Sequence, residues 1–161
     1  MWQSLGLVDL AGATISSRRD GVDHSVDLDK HLAALTDEDI LWGAVLVHSY
    51  ALVQNAAVEE LGSKVPGIEN WGQAILERNG KTWTDVKGGL AGAVEVAVVR
   101  NAIAHGTRRV DENSAKRIKR TGGPTTWREN SKISFGYAQL RGYRNRLKDL
   151  LVQSGLGSRE R

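Results

Sequence analysis

Four stretches of this 161-residue chain carry apolar side chains at the three- and four-residue steps that are typical of amphipathic helices. Thr36 at the start of the first stretch and Ser134 at the start of the last are residue types that favour a helix N-terminus. The pattern predicts an all-α fold, a helical bundle of four or five helices over residues 36–153. The stretches cover residues 36–61, 68–78, 85–105 and 134–153.

The remaining segments lack helical periodicity. Residues 1–35 mix Gly, Ser, Asp and Arg, which predicts an irregular N-terminal arm with a short helix over 28–35. No stretch alternates apolar and polar residues convincingly enough to predict a strand. Residues 107–135 predict a basic loop within the helical domain, and residues 154–161 predict a frayed tail.

The composition narrows the class of protein. Hydrophobic residues make up 40% and charged residues 25%, which is ordinary for a soluble globular domain. No apolar run approaches the roughly 20 residues of a membrane span, and the first residues lack the basic start of a signal peptide. The absence of cysteine excludes disulfides, thiolate metal sites and cysteine nucleophiles. We therefore expect a cytoplasmic protein that works without a membrane.

Familiar cofactor motifs are missing from the sequence. Residues 88–92 are rich in glycine, but they lack the preceding strand and the following lysine of a phosphate-binding loop. His24 and His31 have no partners at the spacing of a known metal motif. The sequence therefore predicts neither a nucleoside triphosphatase nor a metal site, and we expect no cofactor.

Charge is divided unevenly between the two parts of the chain. Residues 1–99 hold seven Lys/Arg and fourteen Asp/Glu, whereas residues 100–161 hold fifteen Lys/Arg and five Asp/Glu. A basic half is typical of a protein that binds a polyanion such as RNA, although it would also pair with the acidic half. The cations that we expect to contact RNA are Arg108, Arg109, Lys116, Arg117, Lys119 and Arg120.

One short run at the end of the third apolar stretch carries the chemistry of the chain. It contains Arg100, Asn101 and His105, and it is followed by Gly106, which favours the left-handed conformation that ends many helices. These residue types suit RNA cleavage without a metal. An imidazole can take the ribose 2′-OH proton or protonate the leaving 5′ oxygen, and a guanidinium can stabilise negative charge on the phosphate.

The spacing within the run restricts how the site is built. On an ideal helix Arg100 and His105 point about 140° apart and are separated by about 7.5 Å along the axis. Either the helix ends before His105, so that the long Arg100 side chain can reach the imidazole, or two copies of the chain pool their groups around a two-fold axis.

A purely structural role for the run is the alternative. Cations at a helix C-terminus interact favourably with the helix dipole. Arg100 would then pair with Glu95 or with an acid on another helix.

The run resembles the signature of the HEPN superfamily (higher eukaryotes and prokaryotes nucleotide-binding domain): Arg, a polar residue, three to five variable residues, then His. Arg100, Asn101 and His105 match it in order and spacing, and the helix order over 36–153 is similar. The resemblance implies a helical bundle that dimerises through the motif helices. It also implies a metal-independent endoribonuclease of a toxin–antitoxin or antiviral system, with Arg100 and His105 catalytic and Asn101 orienting them.

Other functions remain open at the level of sequence. Some HEPN members are non-catalytic binding modules, so the chain is alternatively a dimerisation partner of an antitoxin or a nucleotidyltransferase. A basic RNA-binding protein is the third candidate. Among the aromatic residues, Trp42 and Trp71 lie on apolar stripes and predict core positions, and Trp127 in the basic stretch is the candidate for base stacking. His48 either faces the cleft or, as we expect, is a hydrogen-bonded packing residue.

Overall fold

The computed structural model describes residues 14–19, 22–27, 38–124, 127–134 and 136–158. Contacts divide the chain into two compact units, Met1–Glu38 and Asp39–Arg161. The second unit is mainly helical, which agrees with the all-α prediction for residues 36–153. Its helices are α1 (Glu38–Leu61), α2 (Ile68–Glu77), α3 (Gly89–Ala104), α4 (Glu112–Arg120) and α5 (Tyr137–Gln153).

The first unit contains a β-hairpin, so the expectation of an irregular arm without strands was wrong for residues 14–27. Strand β1 (Thr14–Arg19) pairs antiparallel with β2 (Val22–Asp27) in a register that sets Arg19 opposite Val22. The sequence between the strands, Asp20-Gly21, is a strong signal for a two-residue hairpin turn. The short helix that we predicted over 28–35 lies outside the described residues.

Helix α3 lies at the centre of the helical unit and contacts α2, α4 and α5. All of its residues from Gly92 to Val99 are buried, so this helix is covered on more than one face. The residues that pack around it recur at helical spacing on the surrounding helices, for example Leu46 and Val53 on α1 and Ile75 on α2. Trp71 is buried as predicted, whereas Trp42 is only half-buried and packs against Tyr137.

The predicted basic loop over 107–135 was wrong in part, because helix α4 occupies its middle. The side chain of Asp111 accepts a hydrogen bond from the Ser114 backbone N at 2.7 Å, which caps the helix. Ile118 is only 1% exposed and joins the core. The cap, the buried Ile118 and the ion pair of Arg117 with Glu69 hold this segment, although cations dominate its composition.

Two helix starts also differ from the sequence predictions. Helix α3 begins at Gly89 and not near residue 85, because Trp83–Asp85 forms a separate 3₁₀ turn and Gly88 has a φ of 81°. Helix α5 begins after Gly136, and the backbone N of Gly136 donates to Oε1 of Gln139 at 3.2 Å. The cap that we predicted at Ser134 is therefore not used.

Helix α1 has one further property. Within the described residues, Ile40–Leu61 is long and apolar enough to cross a membrane by length and composition alone, with a mean hydropathy of 1.2. The apolar run of this length differs from the expectation, drawn from the sequence, that no stretch approaches a membrane span. The inner face of the same helix, including Leu46 and Ala57, belongs to the protein core.

Candidate functional site

The Arg-Asn-His run lies where the central helix ends. Helix α3 stops at Ala104, and His105 takes the first non-helical position with a φ of −88° and a ψ of 0°. Gly106 has a φ of +70°, which confirms the predicted left-handed turn, and its backbone N donates to the Ile103 carbonyl at 3.0 Å. The His105 side chain is exposed. The helix end therefore presents the imidazole to solvent on a defined backbone.

The chain that follows the turn is held by backbone hydrogen bonds. Val110 donates to the Ser131 carbonyl at 3.1 Å, and Ile133 donates to the Arg108 carbonyl at 2.9 Å. Both Val110 and Ile133 are buried in the core. The segment after His105 is thus fixed to the chain around residue 132, and it limits where the imidazole can move.

Arg100 is partly buried and turned towards α1. Its guanidinium Cζ lies 5.2 Å from the centre of the Tyr50 ring, a cation–π distance, and its Nη1 donates to Oδ1 of Asn101 at 2.9 Å. Its Nε is buried and has no hydrogen-bond partner among the described residues. A buried donor without a partner is rare and asks for an explanation, because each such group costs about 1–3 kcal/mol.

Tyr50 supports Arg100 from the core. It is 5% exposed, and its ring meets Trp71 edge-on at 6.1 Å between centroids. Burial raises the pKa of the Tyr50 phenol above its ordinary value, although the positive charges of Arg117 and Arg100 lower it in part. The ring is therefore a neutral, rigid platform beneath the guanidinium.

A salt bridge lies beside this platform and joins α2 to α4. Arg117 donates from Nε to Oε1 of Glu69 at 2.6 Å and from Nη2 to the other carboxylate oxygen. Burial raises the pKa of Glu69, but the hydrogen bonds and charge of Arg117 outweigh it, so the pKa lies below its ordinary value. Arg117, which we had expected to contact RNA, is engaged in this ion pair in the structure.

The two candidate catalytic side chains are not brought together within one chain. Arg100 is held by Tyr50 and Asn101, and no hydrogen bond joins it to His105 in the described part of the protein. Of the two geometries that we considered, the helix does end before His105, but the Arg100 side chain does not reach the imidazole. Glu95 is not the partner of Arg100, so that form of the structural alternative was wrong.

The other cations that we predicted to contact RNA have different surroundings. Lys116 pairs with Glu112 at 2.6 Å on the α4 surface, and Arg109 donates from Nη1 to the Asn130 carbonyl at 2.9 Å. Arg108 is half-buried with a φ of 46°. Lys119 and Arg120 are exposed. The structure therefore distributes these six residues over several contacts rather than one patch.

A groove runs beside the motif turn, between α1 and the end of α3. It has a volume of about 550 Å³, and its lining includes His48, Ile103, Gly106 and Arg108. His48 is exposed and lines this groove, so the expectation of a packing residue was wrong. The sequence contained a signal for this, because His48 lies two residues from both Leu46 and Tyr50, which form the buried face of α1.

Sequence analysis did not identify the polar cluster in the middle of α3. Glu95 is 7% exposed, and its Oε1 accepts from the Trp127 Nε1 at 3.1 Å and from the Tyr143 hydroxyl at 3.0 Å. Its Oε2 accepts from Nη1 of Arg146 at 2.5 Å. Burial, together with the neighbouring carboxylate, raises the pKa of Tyr143. A Cβ at Gly92 would lie 3.3 Å from Cδ of Arg146, so the glycine gives this arginine room to cross α3.

Neither similarity to known proteins nor, in the part of the chain that the structure describes, a cluster of metal ligands assigns a function to the site. No family model, no curated protein and no solved structure matches the chain. The described residues contain no group of three or more His, Cys, Asp or Glu side chains that would hold a metal ion. The chemistry of the site is therefore argued from its own residues.

Proposed function

We propose that this protein is a metal-independent endoribonuclease of the HEPN type that acts as a homodimer, with Arg100, Asn101 and His105 as its catalytic residues. The observation that supports it is the position of His105. Its imidazole is exposed at the open end of a buried helix, beyond an arginine that Tyr50 and Asn101 hold in place.

The reaction needs only these groups and the RNA. The ribose 2′-OH attacks the adjacent phosphorus, and the bond from phosphorus to the 5′ oxygen of the next nucleotide breaks. One imidazole accepts the proton of the 2′-OH, and a protonated imidazole gives a proton to the leaving 5′ oxygen. The Arg100 guanidinium stabilises the charge that develops on the phosphoryl oxygens. The products are a 2′,3′-cyclic phosphate and a 5′-OH end.

A dimer supplies two imidazoles and two guanidinium groups. Because Arg100 and His105 of one chain are not joined, a second copy facing the same helix end provides the missing partner. Helix α1 carries the exposed large apolar side chains Ile40, Leu41 and Leu52 at 53%, 55% and 57% exposure, and Ile40 lines the groove. An exposed apolar helix face of this kind is typical of a surface that meets another chain.

The test of catalysis uses single-stranded RNA in the presence of EDTA. Wild-type protein is expected to leave 2′,3′-cyclic phosphate ends, and Arg100→Ala and His105→Ala are each expected to lower the cleavage rate by about 10²- to 10⁴-fold. Lys64→Ala is the matched control, because it removes an exposed cation between α1 and α2, outside the motif, the groove and the cations that we expect to contact RNA. Intact RNA with the wild-type protein, or full activity in either motif variant, contradicts the proposal.

The test of the shared site mixes the two inactive variants. If residues of both chains form one cleft, a mixture of Arg100→Ala and His105→Ala chains recovers activity that neither variant has alone. Analytical ultracentrifugation of the wild type should show a dimer at the concentrations where it is active. No recovery in the mixture, together with a fully active monomer, contradicts the shared cleft.

A further inference from the structure

The basic residues of α4 are divided between two faces of the helix. Lys116 and Lys119 share one face with Ala115 and line a cavity, whereas Arg117 is turned to Glu69 on α2. The spacing of three and four residues explains this division, because such residues lie on the same side of a helix. Two of the cations that the sequence assigned to one loop therefore border a partly open cavity outside the motif.

The cavity has the shape and walls of a ligand site. Its volume is about 700 Å³, within the range of pockets that hold small organic ligands. Most of its surface is apolar, and it is built from Ala115, Gly123, Pro124 and the half-buried ring of Trp127. An apolar space of this size next to an indole favours a flat, hydrophobic group.

Trp127 is held in position by the motif helix. Its Nε1 donates to Oε1 of Glu95 at 3.1 Å, and Glu95 is buried within α3. Since Glu95 precedes Arg100 by five residues, the two lie about 7.5 Å apart along the helix axis. The cavity is therefore attached to the same helix that carries the candidate catalytic residues.

The rim of the cavity carries charged groups. Lys119 and Arg128 have no ion-pair partner in the described part of the chain, whereas Lys116 pairs with Glu112. Glu129 is a further acid on the rim. An apolar interior with two available cations at its edge matches a flat ring that is attached to an anion.

We propose that this cavity binds one unpaired nucleotide of the RNA substrate, with its base stacked on Trp127 and its phosphate held by Lys119 and Arg128. The proposal rests on the proposed function, since it adds a base-binding site to the same substrate. Stacking on an aromatic side chain is a general way to hold single-stranded RNA. An inorganic anion would not use the apolar walls, and an apolar peptide would not use the cations.

Two neighbouring residues on α4 provide a matched test. Lys119 lines the cavity and Arg120 does not, although both are exposed cations on the same helix. Binding is measured by fluorescence anisotropy with a short single-stranded RNA whose riboses are 2′-O-methylated, so that it cannot be cleaved. Lys119→Glu is expected to weaken binding about 10-fold and to lower the salt dependence by about one counterion, and Arg120→Glu much less. Equal losses in the two variants overturn the proposal.

Trp127 gives a second, independent readout. Trp127→Ala is expected to weaken binding by about 5- to 150-fold, and Trp127→Phe, which keeps a ring, by less. RNA should quench the tryptophan fluorescence of the wild type, and Trp127→Phe should lose that quenching while keeping the thermal midpoint of a folded protein. Quenching that persists in folded Trp127→Phe overturns the stacking assignment.

The source of the nucleotide is tested by adding free mononucleotides. An RNA site binds the oligonucleotide far more tightly than AMP or UMP, whereas equal affinity for the mononucleotides would overturn the assignment to RNA. Because the RNA is uncleavable, the outcome does not depend on catalysis. If wild-type protein cleaves no RNA but Lys119→Glu and Arg120→Glu still differ, the nuclease proposal fails and the nucleotide site stands.

Discussion

Helix α3 carries two sets of polar groups in one apolar sequence. The first set is buried and hydrogen-bonded, whereas the second contains an exposed side chain and a buried donor that has no partner in the described part of the chain. In the middle of the helix, Glu95 accepts hydrogen bonds from Trp127, Tyr143 and Arg146. At its end, His105 is exposed, and Arg100 keeps a buried Nε without a partner among the described residues. The first set joins α3 to α5 and to the chain around residue 127. The second set leaves donors available.

The difference shows how structure separates two roles that look alike in the sequence. A buried carboxylate whose oxygens are all engaged stabilises the fold and has nothing left to offer a ligand. A buried donor without a partner, as the Arg100 Nε is among the described residues, lowers stability unless a ligand completes it. The role of a polar residue on a buried helix is therefore indicated by whether its donor and acceptor atoms have hydrogen-bond partners.

The largest expected effect on stability comes from removing the carboxylate of Glu95, which accepts the hydrogen bonds of the first set. Glu95→Ala leaves Arg146, Tyr143 and Trp127 without their acceptor, and it is expected to lower the free energy of unfolding by about 3 kcal/mol. His105→Ala removes an exposed side chain and is expected to change it by less than about 0.5 kcal/mol. Urea unfolding at pH 7 measures both. Similar losses in the two variants would erase the distinction between the sets.

A smaller effect, on the rate of RNA cleavage, tests whether the Tyr50 ring supports Arg100. Tyr50→Leu removes the aromatic face and is expected to slow RNA cleavage about 10-fold, since a cation–π contact contributes about 1–2 kcal/mol. Tyr50→Phe keeps the face and is expected to restore the wild-type rate. Single-turnover cleavage by the folded fraction measures the rate.

The control for this prediction is the same change in an Arg100→Ala background. If Tyr50 acts through Arg100, Tyr50→Leu has no further effect on the rate once the guanidinium is gone. An equal further loss there would mean that Tyr50 acts on the site by another route.

The smallest expected effect concerns the ion pair beside the platform. The pKa of Glu69 is lowered in the folded protein, so its contribution to stability is complete above the unfolded pKa of about 4.3 and is lost as the pH falls through the lower folded value. Because both side chains are partly solvated, Glu69→Gln is expected to destabilise the protein by about 1 kcal/mol at pH 7. Unfolding curves of the variant and the wild type should converge as the pH falls through the lowered folded pKa of Glu69, and a constant difference would contradict the ion pair.

Sequence periodicity was sufficient for the large elements of the bundle. The predicted stretches 36–61 and 68–78 agree closely with α1 and α2, because each has a broad apolar stripe and a clear turn at its end. Helix α4 was missed because its stripe is narrow and its cations suggested a loop. The hairpin was missed because its strands alternate weakly, although the sequence Asp20-Gly21 between them favours a two-residue hairpin turn.

The candidate site was predictable in its residues but not in its geometry. Arg100, Asn101 and His105 could be chosen from their order and chemistry. The support from Tyr50 could not, since it depends on how α1 crosses α3. Nor could the pairing of Arg117 with Glu69, because 48 residues separate them in the chain and only the packing of α2 on α4 brings them together.

The exposed position of His105 has a consequence for how such a chain changes over generations. Selection that acts only on folding would retain Glu95 and its hydrogen-bond partners. It would not act against the loss of the His105 imidazole, because that side chain is exposed and does not pack in the core. On the proposed function, a descendant with a different residue at position 105 would still fold, still expose the apolar face of α1 and still offer the cavity at Trp127. Enzymes and silent binding proteins would then diverge from one ancestor by a single substitution.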